Sequence, residues 1–474
     1  MLIKQLFVTI TTLPIVWSSV ASGQSETGRV IVSRNAAARR FAVVAPEKFH
    51  PALHDFVEHK KQQLPTVLVS LEHVLKEQSG ADDPERLKRY LYKTWKDQNI
   101  RYALLVGDAD VFPVRYMVLD RKTPAAFDYA FYPSDLYYSD LVKSDGSFDD
   151  WNARKESFHS GYFGEVRGEK NKADPINYDQ VDYRPDIMVG RWPVSTPEEV
   201  RIVAGKSLAY EKQLAGGKKP GMRTIALFSV GGWVDSRHVM DDIAEKYAPL
   251  WKVEKRYYAD KRRNDKTPPP DKNQLHALLN SGVGMAFHAG HGTDNRWERC
   301  FSVKGLNQIR NADRLPIMIS AGCSTARLAT LPPYEAYMDV DGNEHTGTNN
   351  GEVFKSPPRP PAPYQRGNHN PTGLGEQLLR QGPNGAVAYI GCNTGSQPCA
   401  LTLLEGFANS VGKNQETRLG DCWAAAISYY YDKQRLARLV PTNHWYPPSI
   451  FFQGMKFMLF GDPTLRLPSP NSVR

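Results

Sequence analysis

"VGMAFHAGHG", residues 283–292, is a short apolar run that ends in glycines and two histidines. "LPIMISAGC", residues 315–323, has the same form and ends in a cysteine. Apolar runs of this length, bounded by glycine, are typical of buried strands in a parallel sheet. Because functional side chains gather where parallel strands end, we expect His288, His291 and Cys323 at one sheet edge. If the two strands are neighbours, His291 and Cys323 can face each other across a cleft.

The chain on either side of these runs alternates apolar strands with amphipathic helices. This alternation predicts right-handed βαβ units and an α/β fold with a mainly parallel sheet. One helix should begin at Thr196, because Pro197 suits the first helical position and Glu199 completes a capping box. It runs into "AGGKKPGM", which we take as a domain boundary. The prediction is an N-terminal α/β subdomain over 24–215 and a catalytic subdomain over 216–468.

The first 23 residues have the form of a secretory signal peptide. One lysine, Lys4, precedes an apolar run from Leu6 to Trp17, and small residues around Ala21 and Gly23 suit a signal peptidase. The alternative is an uncleaved anchor, but this run is too short to span a bilayer. We therefore predict a mature chain without a membrane span that is secreted, periplasmic or held at the cell surface.

Length and charge narrow the possible functions. The 474 residues suit one large domain or two medium ones. The formal charge is +9, and removal of the signal takes away one lysine and leaves +8. The 60 basic residues are dispersed among 51 acids, which indicates a solvated basic surface and not a nucleic-acid groove.

Five cysteines all lie in the C-terminal part of the chain, and an odd number leaves at least one free thiol. Cys392 and Cys399 have a spacing that suits a disulfide in an oxidising compartment. Cys300 and Cys422 suit buried positions as small hydrophobic residues. Cys323, at the end of its strand, is the candidate nucleophile.

An imidazole beside a thiol can take its proton, which makes the sulfur strongly nucleophilic. His291 is the candidate base, and the amides of Gly292 and Cys323 are the candidate oxyanion hole. His288 precedes the base on the same strand and should be a hydrogen-bonded structural residue. The alternative is a zinc site formed by these two histidines and the cysteine, but the sequence lacks the HExxH arrangement.

Two further segments have alternative interpretations. Asp145, Asp149 and Asp150 surround Gly146 and offer clustered oxygen ligands that suit a structural Ca²⁺, although a solvated acidic loop has the same composition. The stretch 331–373 is rich in proline, glycine and asparagine and cannot form a helix or a central strand. We expect an exposed, mobile insertion that acts as a lid, a substrate-side loop or a processing site.

Several common motifs are absent from the sequence. It has no GxSxG elbow of an α/β-hydrolase, no GxGxxG and no GxxxxGK[ST] phosphate-binding loop. Serine hydrolysis of that kind and nucleotide binding are therefore not expected.

Motifs along nearly the whole mature chain resemble the gingipain-type cysteine peptidases, relatives of the caspase-like clan. The resemblance is carried by "HAGHG" with Trp297 downstream, "LPIMISAGC", "GLGEQLL", "GAVAYIG", "FGDPTLRL", "YALLVGDADVFP", "YPSDLYYSDL" and "PDIMVGRWPVSTPEEV". It implies a caspase-like three-layer sandwich with a mainly parallel sheet and two side-by-side subdomains. It also implies an endopeptidase that acts through a thioester, with Cys323 as nucleophile and His291 as general base.

The sequence departs from the family pattern at two positions. Where the best-studied members have a glutamate that orients the histidine, "LFSVGGW" has Val230, so a backbone carbonyl or another acid must hold the imidazole. Members that cut after arginine have an aspartate at the base of the specificity pocket, and Asp235 is the nearest candidate here. The predicted function is a secreted cysteine endopeptidase of protein or peptide substrates that requires no cofactor. The alternative is a catalytically weak, peptidase-derived module for surface processing (transpeptidation) or binding.

Overall fold

A computed structural model describes most of the chain from Ala38 to Pro468. The described residues are 38–120, 129–152, 161–166, 175–216, 220–259, 267–348, 358–365, 373–411, 417–440, 442 and 446–468. The predicted signal peptide, residues 1–23, lies outside them.

Strands and helices alternate along most of the described chain. The strands are β1 (Arg40–Ala45), β2 (Thr66–Ser70), β3 (Ile100–Val106), β4 (Tyr116–Asp120), β5 (Tyr129–Pro133), β6 (Met188–Trp192), β7 (Thr224–Ser229), β8 (Lys252–Tyr257), β9 (Met285–Ala289), β10 (Gly292–Thr293), β11 (Arg296–Trp297), β12 (Phe301–Ser302), β13 (Ile317–Ser320), β14 (Tyr337–Met338), β15 (Glu344–His345), β16 (Ala388–Cys392) and β17 (Phe457–Phe460). The helices are α1 (His50–Lys61), α2 (Leu71–Glu77), α3 (Asp83–Gln98), α4 (Leu136–Ser139), α5 (Pro197–Ala215), α6 (Arg237–Asp242), α7 (Lys272–Ser281), α8 (Leu374–Arg380), α9 (Leu401–Ser410), α10 (Leu419–Lys433) and α11 (Tyr446–Phe451).

Ten of these strands form one sheet in the order β2-β1-β3-β6-β17-β16-β13-β9-β7-β8. The first five are mutually parallel, and so are the last five. The two halves meet in the antiparallel pair β17–β16. As a result, the carboxyl ends of the strands lie at opposite edges of the sheet in the two halves.

Helices cover both faces of the sheet, which gives the three layers expected of a caspase-like α/β sandwich. Strand side chains alternate between two separate cores, as the period of a β-strand requires. In β3, for example, Ala103 and Leu105 belong to one core, whereas Tyr102, Leu104 and Val106 belong to the other. Helices α2, α3, α9 and α10 pack into the first core, and α1, α5, α7 and α8 pack into the second. The predicted fold class is confirmed.

The predicted start of α5 is also confirmed. Thr196 accepts a hydrogen bond from the amide of Glu199, whose side chain returns to the Thr196 amide, and Pro197 is the first helical residue. The predicted division between residues 215 and 216 falls directly after this helix and stays a prediction. In the sheet, the C-terminal strand β17 lies beside β6 of the N-terminal half.

The insertion 331–373 is packed against the molecule where the structure describes it. It contains the β14–β15 hairpin, and Gln365 is buried. The Gln365 side chain donates to the carbonyl of Met338, and its backbone amide donates to the carbonyl of Ala109 in the N-terminal half. The expectation of an exposed segment is wrong at Gln365, which is buried, whereas Met338 and Val340 of the same segment are exposed.

A buried ionic cluster fixes the strand that joins the two halves. Asp462 lies two residues after the end of β17, and its carboxylate accepts from the amide and hydroxyl of Thr464 at 2.7 Å. Its other oxygen lies 2.6 Å from Nζ of Lys60 in α1, and both side chains are fully buried. Lys60 also pairs with Glu211 of α5. A buried charge that loses its partner is strongly destabilising, so this cluster ties the end of β17 to two helices.

No helix in the described part of the chain is long and apolar enough to cross a membrane.

We predict that Lys60→Met lowers the free energy of unfolding by about 3 to 5 kcal/mol, because it leaves two buried carboxylates without their cation. Urea unfolding measures the effect. The matched control is Lys61→Met, in which the lost partner is Glu58 and the side chains of both are about half exposed, so that less than about 1 kcal/mol is expected. Equal effects of the two substitutions would contradict this role of the cluster.

Candidate active site

Two neighbouring parallel strands bring His291 and Cys323 to the same sheet edge. In the β9–β13 pair, His288 lies opposite Ser320. His291 follows His288 by three residues, and Cys323 follows Ser320 by three, so the two side chains come at equivalent distances beyond the paired strands. The condition stated above, that the two strands are neighbours, is met.

The loops after these strands are in direct backbone contact at Gly292. A Cβ atom at Gly292 would lie 2.8 Å from the carbonyl oxygen of Cys323 and 2.5 Å from Cγ2 of Thr325. Both distances are shorter than side chains tolerate, so only glycine allows this approach. The candidate oxyanion donors, the amides of Gly292 and Cys323, therefore lie on two loops that touch; their role stays a prediction.

A backbone carbonyl holds the imidazole of His291. Nε2 lies 2.7 Å from the carbonyl oxygen of Gly232. Since a carbonyl only accepts, the proton is on Nε2, and Nδ1 keeps the lone pair that a base needs. Gly232 has φ +97°, a backbone conformation that favours glycine. Val230 is buried against the glycine before His291.

The thiol of Cys323 contacts the loop after β16. Sγ accepts from the amide of Ser396 at 3.2 Å and lies 3.6 Å from the Ser396 carbonyl oxygen. An N–H directed at sulfur stabilises the negative charge of a thiolate. The buried side chain of Gln453 holds this loop, because it donates to the Ser396 hydroxyl and accepts from the Gln397 amide, each at 3.2 Å.

The other four cysteines are buried free thiols. Burial raises the pKa of Cys392 to about 12 and also raises the pKa of Cys300 and Cys399. The pair Cys392 and Cys399, with its disulfide-like spacing, is not joined. Cys392 lies beside Cys323, whereas Cys399 faces the hydroxyls of two tyrosines. Half-buried Cys323 is thus the most accessible of the five thiols.

His288 is a buried structural residue, as expected. Its ring stacks on Trp297 at a centroid distance of 4.3 Å and an interplanar angle of 3°. Nδ1 lies 2.8 Å from the hydroxyl of Ser320. Burial lowers the pKa of His288 to about 3, so the ring is neutral at physiological pH.

Asp235, the candidate for the specificity pocket, is already paired. Its side chain is half exposed, and both its oxygens accept from the guanidinium of Arg237, at 2.9 and 2.8 Å. These hydrogen bonds lower the pKa of Asp235 to about 2. Arg237 in turn stacks on the ring of Tyr258 at 4.4 Å. The negative charge of Asp235 is therefore largely compensated within the protein.

The structure does not gather the three candidate calcium ligands into a metal site. Asp145, Asp149 and Asp150 each accept from a backbone amide two residues further along, at 2.9, 2.9 and 3.1 Å. Within the described ranges, no group of three or more His, Cys, Asp or Glu side chains is arranged to hold a metal ion. The calcium site stays a prediction.

A three-layer α/β fold that brings a thiol and an imidazole together at one sheet edge is of the kind found in cysteine peptidases. The model of peptidase family C25 matches residues 35–468. The chain therefore belongs to this family.

Individual relatives are distant. Gingipain R2 of Porphyromonas gingivalis is 20% identical over 286 residues, which cover 60% of this chain and 32% of that protein. Lys-gingipain of the same species is 25% identical over 168 residues, which cover 35% of this chain and 10% of that protein. The chain thus spans a third or less of these relatives. The solved structure of the Arg-specific cysteine proteinase gingipain R has a TM-score of 0.58 at 15% identity, covering 90% of this chain and 78% of that one.

Three contributors to the site were not singled out from the sequence: the carbonyl of Gly232, the amide of Ser396 and the side chain of Gln453. Two of them belong to the backbone, so residue type carries no chemical signal. The sequence does show a glycine pair after β7 and a polar loop after β16. Both segments follow strands that lie close to β13 in the sheet, so both could have been considered as parts of the site.

Buried neutral His288 should make the fold acid-sensitive. Its pKa is lower in the folded state than the ordinary 6.5, so the unfolded chain binds a proton first and stability falls as pH drops below about 6.5. Between pH 7 and 5, wild type should lose about 2 kcal/mol more unfolding free energy than His288→Gln. The control His54→Gln removes an exposed ring and should keep the wild-type loss. If His288→Gln and wild type lost the same unfolding free energy between pH 7 and 5, His288 would not be the cause of the acid sensitivity.

Gly292→Ala should separate the two loops, because the added methyl group would overlap the Cys323 carbonyl. We expect the rate of Cys323 alkylation by iodoacetamide at pH 7 to fall by about tenfold or more as the thiol loses its base. Gly395→Ala, at a position on the neighbouring loop with nothing within 4 Å of an added Cβ, should leave the rate unchanged. An unaltered rate in Gly292→Ala would show that the contact is not needed.

Proposed function

We propose that this chain is a cysteine endopeptidase with Cys323 as nucleophile and His291 as general base. The observation that carries the proposal is the register of β9 and β13, which places the two side chains at equivalent positions on adjacent loops. The backbone contact at Gly292 and the membership of peptidase family C25 support it.

The proton positions follow from the hydrogen bonds. The Gly232 carbonyl keeps a proton on Nε2 of His291, so Nδ1 is the nitrogen that takes the proton of the Cys323 thiol. The Ser396 amide stabilises the resulting thiolate. The sulfur then attacks the scissile carbonyl carbon and forms a tetrahedral intermediate whose oxyanion is bound by the amides of Gly292 and Cys323.

Collapse of this intermediate breaks the C–N bond as His291 gives its proton to the leaving amine, and a thioester remains on Cys323. Water, deprotonated by the same imidazole, attacks the thioester carbonyl. The acid leaves, and the proton returns to the sulfur. Each step uses groups of the chain and water, and none requires a cofactor.

We propose proteins or peptides as the substrates. The proposal that the protein is secreted depends on the predicted signal peptide, residues 1–23. An arginine pocket based on Asp235 is not part of the proposal. Its carboxylate already accepts two hydrogen bonds from Arg237 and would offer a substrate cation little uncompensated charge.

Val230 favours a second candidate function. A peptidase-derived module that transfers acyl groups or only binds its target would not need the orienting acid, and a buried valine replaces it. In that case the Gly232 carbonyl would hold the imidazole for structural reasons, and free hydrolysis would be slow.

Active-site labelling separates the two functions. A peptidyl acyloxymethyl ketone should modify wild type at Cys323, confirmed by peptide mass, and fail on Cys323→Ala. His291→Asn should slow labelling by about a hundredfold or more, since a base typically contributes 10²- to 10⁴-fold. The matched control is Cys399→Ser, which removes a buried thiol of raised pKa and should label normally.

Incubation of the unlabelled wild-type protein with a peptide library then decides between an endopeptidase and a transfer or binding module. Labelling with cleavage supports the endopeptidase. Labelling without cleavage, with or without Ca²⁺, supports the transfer or binding module. No labelling of the folded chain at all overturns the nucleophilic role of Cys323.

A further inference from the structure

The guanidinium of Arg299 lies at the rim of the candidate active site, beside the imidazole of His291. Its Nη1 is 3.7 Å from the position of a Cβ on Gly232, and Cδ2 of His291 is 4.0 Å from the same point. Gly232 is the residue whose carbonyl holds the imidazole. A positive charge therefore lies close to the base.

Arg299 has no hydrogen-bond or ion-pair partner among the residues that the structure describes. Other arginines near the site are engaged: Arg237 with Asp235, and Arg327 with Glu335. The Asp235 carboxylate is thus already used by another cation. Arg299 is exposed and free to bind an anion from outside the protein.

The backbone of Arg299 is held in an unfavourable conformation. Its φ is +58°, in the left-handed region that non-glycine residues rarely adopt. The residues around it are fixed: Trp297 is fully buried against His288, Cys300 is buried, and the Cys300 amide donates to the Trp297 carbonyl at 3.1 Å. Such conformations persist where the surroundings impose them, and they concentrate at functional sites.

From this placement we propose that Arg299 binds a carboxylate of the substrate next to the scissile bond, so that the enzyme selects acidic peptides. The inference rests on the proposed peptidase function and names its substrate class. A guanidinium presents two parallel N–H groups to a carboxylate, which gives both attraction and orientation. Beside His291, this pairing would fix the residue that flanks the bond being cut.

The test uses peptides that differ only by Glu or Gln at each position from two residues before to two residues after the scissile bond. For wild type we expect kcat/KM to be about ten- to a hundredfold higher for Glu at one flanking position, with a preference that shrinks as salt is added. Arg299→Gln should remove the preference, so that kcat/KM becomes the same for the Glu and the Gln peptide. Arg299→Lys should retain part of it.

The control is Arg296→Gln, which removes another exposed arginine from the preceding strand β11 and should keep the preference. The proposal would be overturned if wild type cleaved the Glu and Gln peptides equally well. It would also be overturned if Arg299→Gln lowered kcat/KM by the same factor for both peptides. Labelling with a matched pair of Glu- and Gln-bearing acyloxymethyl ketones tests the role of Arg299 separately from the peptidase function. Labelling without discrimination refutes the role of Arg299 alone, and no labelling by either probe refutes the peptidase function with it.

Discussion

The parallel pairing of β9 with β13 is the constraint on which the candidate site depends. It sets His288 opposite Ser320, so the residues three positions later emerge side by side on the next loops. Gly292 then lets the two loops touch, and stacking of His288 on Trp297 fixes the segment behind the base. The geometry of the exposed pair is therefore set by buried groups that take no part in the chemistry.

Hydrogen bonds from the backbone hold both candidate catalytic side chains. The carbonyl of Gly232 fixes the proton of His291, and the amide of Ser396 faces the sulfur of Cys323. Both belong to loops that follow strands near β13. Because a carbonyl carries only a partial charge, it orients the ring without adding the full negative charge of a glutamate. The guanidinium of Arg299 lies close to the same ring.

Much of this arrangement could be predicted from sequence. Apolar runs of strand length gave β9 and β13, and the capping signals gave the start of α5, since these elements depend on local patterns. The place of β17 beside β6 could not be predicted, because strand order depends on contacts distant in sequence. The packing of the insertion through Gln365 was missed for the same reason. Backbone contributors such as the Gly232 carbonyl leave no residue-specific trace, and the Asp235–Arg237 pair required knowledge of a side-chain rotamer.

The position of β17 in the middle of the sheet has a consequence for biosynthesis. Phe457–Phe460 are synthesised after the other nine strands of this sheet, yet they separate β6 from β16. Until they arrive, both half-sheets present an unpaired inner edge, the kind of surface through which nascent chains associate wrongly. Folding of the sheet must therefore finish after translation of this strand, and a chain that stops short of it would be prone to aggregate, not merely inactive.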